Sequence, residues 1–342
     1  MKVLVVGGAG YIGSHTVYEL VRAGHEVVVL DNLSTGSAAN VHPQAHFEWG
    51  DIRRKSDIAR VLAAEAETGT PVDVVMHFAA KLIVPESVSE PLAYYENNVE
   101  GLRTLLEALV EGGVRSIVFS STAAVYGEPT SSECHEGDAT EPINPYGETK
   151  LACERMLKWA AAAYGLDYCI LRYFNVAGAD ASLEIGLDKD RLTHLVPLLM
   201  QAALGIRDKL LVFGNDYATP DGTCIRDYVH VTDLARAHVL GAQHLLTNRA
   251  SVLANLGSGR GFSVKEVVDA ARDIFEVPFE YAPRRPGDPA KLIACIDHAR
   301  ETLGWEPEHD LHSILKSDYD FRRKLMLAHR PQAERRCGGT EG

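Results

Sequence analysis

The sequence predicts an α/β protein built on a doubly wound parallel sheet, with a smaller α/β substrate-binding lobe on its C-terminal side. Three observations carry that expectation. Short apolar runs alternate with longer segments of helical period through the first half of the chain. The runs are continuously apolar, as in strands buried on both faces, and strand-helix alternation implies parallel pairing through right-handed crossovers. The first run also passes into a helix through a glycine-rich turn.

Composition narrows the function classes. At 342 residues and 46% apolar content, the chain can bury a large core and sits near the upper limit for one domain, or suits two interlocked ones. A net charge of -13 argues against a nucleic-acid partner, which selects a basic surface. Cys134, Cys153, Cys169, Cys224, Cys295 and Cys337 are irregularly spaced with no C-x-x-C pair, so neither a metal site nor a disulfide framework is expected. The chain opens directly on the apolar run "MKVLVV". No apolar run approaches the ~20 residues needed to span a bilayer. A cytoplasmic protein without a membrane partner is the expectation.

Taken in order, "KVLVV", "EVVVL", "HFEW", "VDVVMHF", "RSIVFSS" and "LDYCILRYF" read as strands, with helices over 11–22, 91–112 and 146–164. Beyond about residue 177 the pattern loosens into the loops "FGNDYATPDGT" and "APRRPGDPA", mixed with helices near 192–204, 232–246, 263–275 and 310–325. Residues 1–176, completed by about 226–255, read as a cofactor-binding domain. Residues 177–225 and 256–330 read as a lobe over the carboxyl ends of the strands, where ligands of open α/β sheets bind. Residues 331–342 read as a flexible tail.

In "VLVVGGAGYIGSHT", Gly7, Gly8, Gly10 and Gly13 join the first strand to the first helix. Glycine permits the tight turn, lets backbone N–H groups approach a pyrophosphate, and brings the helix N-terminus toward the anion. The next strand ends in Asp31, 18 residues beyond Gly13. A carboxylate there accepts from the adenosine ribose hydroxyls and repels a 2′-phosphate, so the cofactor expected is NAD rather than NADP. Asp51 and Ile52 follow the third strand as candidates for holding the adenine. Phe78, Ala79 and Ala80 end the fourth, with two small side chains that permit close approach.

"NPYGETK" places Tyr146 and Lys150 one helical turn apart on one face. An unperturbed phenol, with a pKa of ~10, needs a shift of ~2–3 units to serve as a base near neutrality. A buried ammonium would supply part of that and an oxidised nicotinamide more. The fifth strand ends "VFSSTAAVYG", so Ser120, Ser121 or Thr122 lies at the same sheet edge and offers a hydroxyl relay to the tyrosine. Together these groups describe hydride transfer at an alcohol carbon.

The chain resembles the extended short-chain dehydrogenase/reductase family, Rossmann-fold enzymes, and within it the nucleotide-sugar epimerases. The likeness is carried nearly end to end by "GGAGYIGSHT", "LDNLSTG", "GDIR", "HFAA", "VPESVSEPLAYYENNV", "FSSTAAVYG", "PYGETK", "LRYFNVAGA", "FGNDYATPDGTCIRDYVHVTDLA", "NLGSG" and "RRPGDPAKL". It implies that Tyr146 is the acid/base, Lys150 its electrostatic partner and a ligand of the cofactor ribose, and Thr122 the hydroxyl beside the sugar. It implies NAD contacts from Gly7, Gly10, Tyr11, Ile12, Gly13, Asp31, Asn32, Asp51, Ile52, Phe78, Ala79, Ala80, Asn97, Ser120 and Tyr173. For a UDP-sugar it implies Asn175, His194, Leu195, Leu211, Phe213, Arg226, Tyr228, Arg285 and Asp288. Arg226 and Arg285 suit a diphosphate, because guanidinium is always charged and binds oxyanions as a fork.

The implied reaction is reversible inversion at C4, interconverting UDP-glucose and UDP-galactose with tightly bound NAD, in a homodimer built through helices near 91–112 and 149–164. Three departures stand out. Thr193-His194 stand where some relatives have an Asn pair before the uracil-binding segment, and His194 would replace an amide hydrogen bond. Lys81 precedes Leu82 where relatives carry lysine one position later. Leu292 stands where some relatives place a tyrosine at the sugar pocket, leaving room for an N-acetyl group. Rival functions differ in definite ways. Relatives that eliminate water carry Asp-Glu directly after the threonine, where this chain has Ala123-Ala124. An enzyme of UDP-uronates needs a further cation or hydroxyl for the sugar carboxylate. A non-catalytic NAD-binding sensor has no need of Tyr146, Lys150 and Thr122 together.

Overall fold

The computed structural model describes residues 1–129, 131, 133–188, 192–285 and 289–329. Its strands are β1 (Lys2–Val6), β2 (Glu26–Asp31), β3 (His46–Trp49), β4 (Val74–His77), β5 (Ser116–Thr122), β6 (Glu133–Cys134), β7 (Asp167–Tyr173), β8 (Asn175–Ala177), β9 (Leu210–Phe213), β10 (Ile225–His230), β11 (Val252–Leu256), β12 (Gly261–Ser263), β13 (Phe279–Ala282) and β14 (Lys291–Ala294). The six strands expected from the apolar runs all form. With β11 they make one parallel sheet in the order β11-β7-β5-β4-β1-β2-β3. The order reverses between β1 and β4, which opens a crevice at their carboxyl ends.

The helices are α1 (Tyr11–Arg22), α2 (Lys55–Glu67), α3 (Val84–Ser89), α4 (Pro91–Tyr94), α5 (Gly101–Glu111), α6 (Pro145–Tyr164), α7 (Leu195–Ala203), α8 (Val231–Asn248), α9 (Val264–Arg272), α10 (Asp297–Leu303) and α11 (Leu311–His329). On one face of the sheet Val17 and Leu20 of α1 and Leu234 and Leu245 of α8 pack on Val3, Val5, Val29 and Val118. On the other, Ile58 of α2, Leu105 of α5 and Leu157 of α6 pack on Leu4, Val28, Val75 and Ile117. Burial on both faces is why these strands read as unbroken apolar runs.

The helix expected over 91–112 differs in one respect. Between α4 and α5, residues Tyr95–Glu100 form a π-helical turn, a wider winding frequent at functional sites. A second sheet, drawn from β6 and from strands beyond β7, runs β12-β10-β14-β6, with β8 beside β10, and β9 pairs with β13. A third apolar cluster, including Leu199, Val212, Val267 and Leu315, lies beneath them. Among the described residues no helix is long and apolar enough to cross a membrane, and no group of three or more His, Cys, Asp or Glu could hold a metal ion. Cys134, Cys153, Cys169, Cys224 and Cys295 are all buried.

Candidate active site

The glycine turn is dictated by close approach. Gly7 has φ +84°, and a Cβ on it would stand 2.5 Å from the amide nitrogen of Ala79. A Cβ on Gly13 would stand 2.2 Å from the carbonyl oxygen of Gly7. The turn is tied to both neighbouring strands: Gly7 N–H donates to Leu30 O (2.8 Å), and Phe78 and Ala79 N–H both donate to Val6 O (2.8 and 3.1 Å). Asp31 is buried at the end of β2, where its carboxylate accepts from the N–H of Ala9 (2.9 Å) and of Leu33 (2.8 Å). It thus holds the turn while facing the crevice.

Helix α1 begins at Gly10, which offers no side-chain cap, so its first N–H groups are left for an incoming anion. Close-packed glycines, an uncapped helix start, small Ala79 and Ala80, and a carboxylate at the strand end fit a dinucleotide. They supply N–H donors for its pyrophosphate and an acceptor for its ribose.

Helix α6 is started by its own sequence. Asn144 caps it by accepting from Gly147 N–H (2.9 Å), and Pro145 occupies the first turn. A Cβ on Gly147 would lie 2.7 Å from Ala124 O, so glycine lets the first turn of α6 close on the turn after β5. That contact brings Tyr146 beside Thr122, and both line the cavity. Lys150 is buried, lies over the Phe119 ring, and donates to Ser120 O (2.8 Å).

The expected lowering of the Tyr146 pKa is absent in the protein alone. Burial pushes the phenol up to about 12, with the Thr122 hydroxyl opposing, and pushes Lys150 down to about 8. Desolvation outweighs the local attractions, because both groups lose water to the same pocket.

The three candidate hydroxyls separate by strand alternation. Ser120 and Thr122 line the crevice, whereas Ser121 faces α6 and donates to Glu154 (2.5 Å). Tyr173 O–H donates to Ser120 Oγ across the β5–β7 pair.

A single cavity of about 740 Å³ gathers nearly all the expected residues. Its wall holds Gly7, Tyr11, Ile12 and Gly13 from the glycine turn and α1, with Asp31, Asn32 and Ile52 beside them. Phe78, Ala79, Ala80 and Asn97 follow, and then Ser120, Thr122, Tyr146, Lys150 and Tyr173. The same cavity is lined by Asn175, His194, Leu195, Leu211, Phe213, Arg226, Tyr228 and Arg285, with Leu292 alongside. The Arg285 guanidinium stacks 3.9 Å over Phe213, and Asn175 Nδ2 donates to Asp227 O (3.1 Å).

Two expected residues stand behind the wall. Gly10 is spent on starting α1, and its N–H donates to Gly7 O (3.2 Å). Asp51 is occupied by Arg53, whose Nη2 lies 2.7 Å from its Oδ2, and by Asn32 (3.2 Å). The guanidinium holds this carboxyl down at about 2. Asp288 lies outside the described residues. Both Lys81 and Leu82 line the cavity, the lysine being paired with Glu86 (2.9 Å).

Three structural supports were not among the expected site residues. Asn98, on the π-helical turn, donates to Lys81 O (3.0 Å) and Thr149 Oγ1 (3.1 Å) and accepts from Lys81 N–H (2.8 Å), fastening the 79–83 loop to α6. Glu154 and Arg172 form a buried pair beneath Lys150. Their only sequence signal is polarity inside apolar patterns, which does not reveal a partner.

Comparison with known proteins agrees with this geometry. Residues 3–257, from β1 to just past β11, match the model of the NAD dependent epimerase/dehydratase family. The chain is 51% identical over 327 residues to the UDP-glucose 4-epimerase of Halalkalibacterium halodurans, covering 95% of this chain and 96% of that protein. The crystal structure of the Brucella ovis UDP-glucose 4-epimerase in complex with NAD superposes with a TM-score of 0.89 at 46% identity, covering 93% of this chain and 97% of that one. The Stenotrophomonas maltophila UDP-glucose-4-epimerase, with bound NAD and formylated UDP-arabinopyranose, superposes with a TM-score of 0.92 at 40% identity, covering 96% and 99%. With a matching family model over the whole parallel sheet and relatives of this identity along nearly the whole chain, the protein belongs to the NAD-dependent epimerase/dehydratase family.

Proposed function

We propose that the protein interconverts UDP-glucose and UDP-galactose by inverting C4 of the sugar, with NAD held throughout the turnover. The observation that carries this reading is one cavity wall shared by a dinucleotide cradle, the Tyr146–Thr122–Lys150 group and two arginines, Arg226 and Arg285. Bound NAD supplies a hydride acceptor and donor together with a positive ring. Tyr146 takes the proton of the 4-hydroxyl and returns it, and Thr122, beside it on the cavity wall, positions that hydroxyl. Lys150 places a positive charge near the phenolate oxygen as it forms. Arg226 and Arg285 hold the diphosphate, so the hexose remains anchored while it turns over.

Incubating the purified protein with UDP-galactose and no added cofactor should yield UDP-glucose. Absence of product from folded, NAD-containing protein would refute the assignment. The pH dependence follows from Lys150, whose pKa burial lowers to about 8. An amine held low is charged below that pH and neutral above it, so kcat is expected to turn down as pH rises through about 8, read from a pH–rate profile.

Leu292 borders the cavity on β14, in register with Arg226. Leu292→Tyr should reduce turnover of UDP-N-acetylgalactosamine by ~10-fold or more while sparing UDP-galactose, because the larger ring fills the space an acetamido group needs. Parallel assays of the two substrates check it.

Two copies of the chain pair through α4, α5 and α6. Leu92 on α4 and Trp159 and Tyr164 on α6 are large apolar side chains left 81%, 78% and 56% exposed there. A monomer in sedimentation equilibrium would exclude this pairing.

A further inference from the structure

Among the buried charged groups that the cavity mechanism leaves unused, one adjoins the catalytic helix face. Glu154 lies on α6 one helical turn beyond Lys150, and it is fully buried. Its carboxylate accepts from Ser121 Oγ (2.5 Å), from Arg172 Nε (2.9 Å) and from Arg172 Nη2 (2.6 Å). Ser121 and Arg172 are direct neighbours in the β5–β7 register, so one carboxylate fastens both strands to the helix above them. Each member adjoins a residue of the cavity wall. Ser121 lies between Ser120 and Thr122, Arg172 precedes Tyr173, and Glu154 follows Lys150 by four residues.

The network extends behind the site. The Arg172 guanidinium lies 4.9 Å from the centre of the Tyr126 ring, and Tyr126 O–H donates to Asn255 Oδ1 (2.7 Å) on β11.

A buried ion pair is poor evidence for stability, since an apolar pair of similar volume is often as stable or more so. Its placement here has another consequence. The titratable groups facing Lys150 are Tyr146, Cys153 and Glu154 on α6 and His77 on β4. From β5 come only the Phe119 ring and the Ser120 carbonyl. Burial keeps the Tyr146 phenol and the Cys153 thiol protonated at about 12 and the His77 ring neutral at about 3. Among these groups Glu154 is the carboxylate, and it is paired with the Arg172 guanidinium at 2.6 Å.

We propose that Glu154, clamped by Arg172 and Ser121, is a positioning residue for Lys150: it fixes the register of α6 on the ends of β5 and β7 and places a negative charge one turn from the ammonium. The inference rests on the proposed C4 inversion only for the meaning of turnover, and its decisive readout does not need substrate.

The test compares wild type with Glu154→Gln and with the double variant Glu154→Met/Arg172→Met. It measures bound NAD, kcat and KM for UDP-galactose, and the titration of the Lys150 ¹³Cε resonance in ¹³C-lysine protein between about pH 6 and about pH 11. Glu154→Gln is expected to retain NAD, keep KM within about 2-fold, lose ~10–100-fold in kcat, and titrate Lys150 at lower pH, with the alkaline fall in kcat moving alongside. The double variant should melt near the wild-type temperature and still lose kcat.

Wild-type kcat and wild-type Lys150 titration in the double variant would show that the pair serves folding alone, and would overturn the proposal. An unmoved Lys150 titration in Glu154→Gln would overturn it equally. If both variants fail to fold, Ser121→Ala removes one hydrogen bond of the clamp, and an unchanged kcat in that variant overturns the proposal. Wild-type protein that does not turn over UDP-galactose would refute the functional reading, and the Lys150 titration would still decide this one.

Discussion

Tyr146→Phe is expected to keep NAD and UDP-sugar binding and to lose roughly 10²–10⁴-fold in turnover, the usual contribution of a positioned general acid/base. The substitution removes one oxygen from a half-buried ring on the cavity wall. It leaves the glycine cradle, Arg226 and Arg285 untouched, so the loss should fall in kcat rather than KM. Burial holds the phenol at about 12, which leaves it protonated in the protein alone and makes it a base only when a positive charge is brought to it. A variant turning over within a few-fold of wild type would remove Tyr146 from the chemistry.

Gly7→Ala should purify with less than about a tenth of the wild-type NAD and show correspondingly little activity, even in added cofactor. The added Cβ would meet the Ala79 amide at 2.5 Å and the Phe78 carbonyl carbon at 2.9 Å, both backbone atoms at the crevice floor. A non-glycine residue at φ +84° carries ~1–3 kcal/mol of strain in addition. The turn can relieve the clash only by moving off β4, which withdraws its N–H groups from the pyrophosphate. The quantity to measure is nucleotide released on denaturation. Wild-type NAD content would mean that the turn does not hold the cofactor.

Much of this molecule is legible along the chain because the physics is local. The apolar runs of β1, β2, β4, β5 and β7 formed strands because a strand buried on both faces needs uninterrupted apolar residues, whereas β3 lies half-buried to exposed at the sheet edge. The "NPYGETK" stretch specifies its own helix start through Asn144 and Pro145 and sets Tyr146 and Lys150 on one face by period alone. Gly7, Gly13 and Asp31 announce a dinucleotide cradle because the turn tolerates almost nothing else.

Other features depend on which elements become neighbours, and local pattern does not encode that. Tertiary packing chose Ser120 and Thr122 over Ser121 for the cavity, by turning alternate side chains of β5 to opposite faces. It withdrew Asp51 into a pair with Arg53, wound Tyr95–Glu100 into a π-turn that lets Asn98 fasten the 79–83 loop, and buried Glu154 against Arg172 from another strand. The sequence by itself therefore determined which acid–base side chains are set on one helix face and one strand end of the cavity. The tertiary structure alone decided how strongly burial shifts them, because desolvation and charge pairing depend on partners brought together from distant parts of the chain.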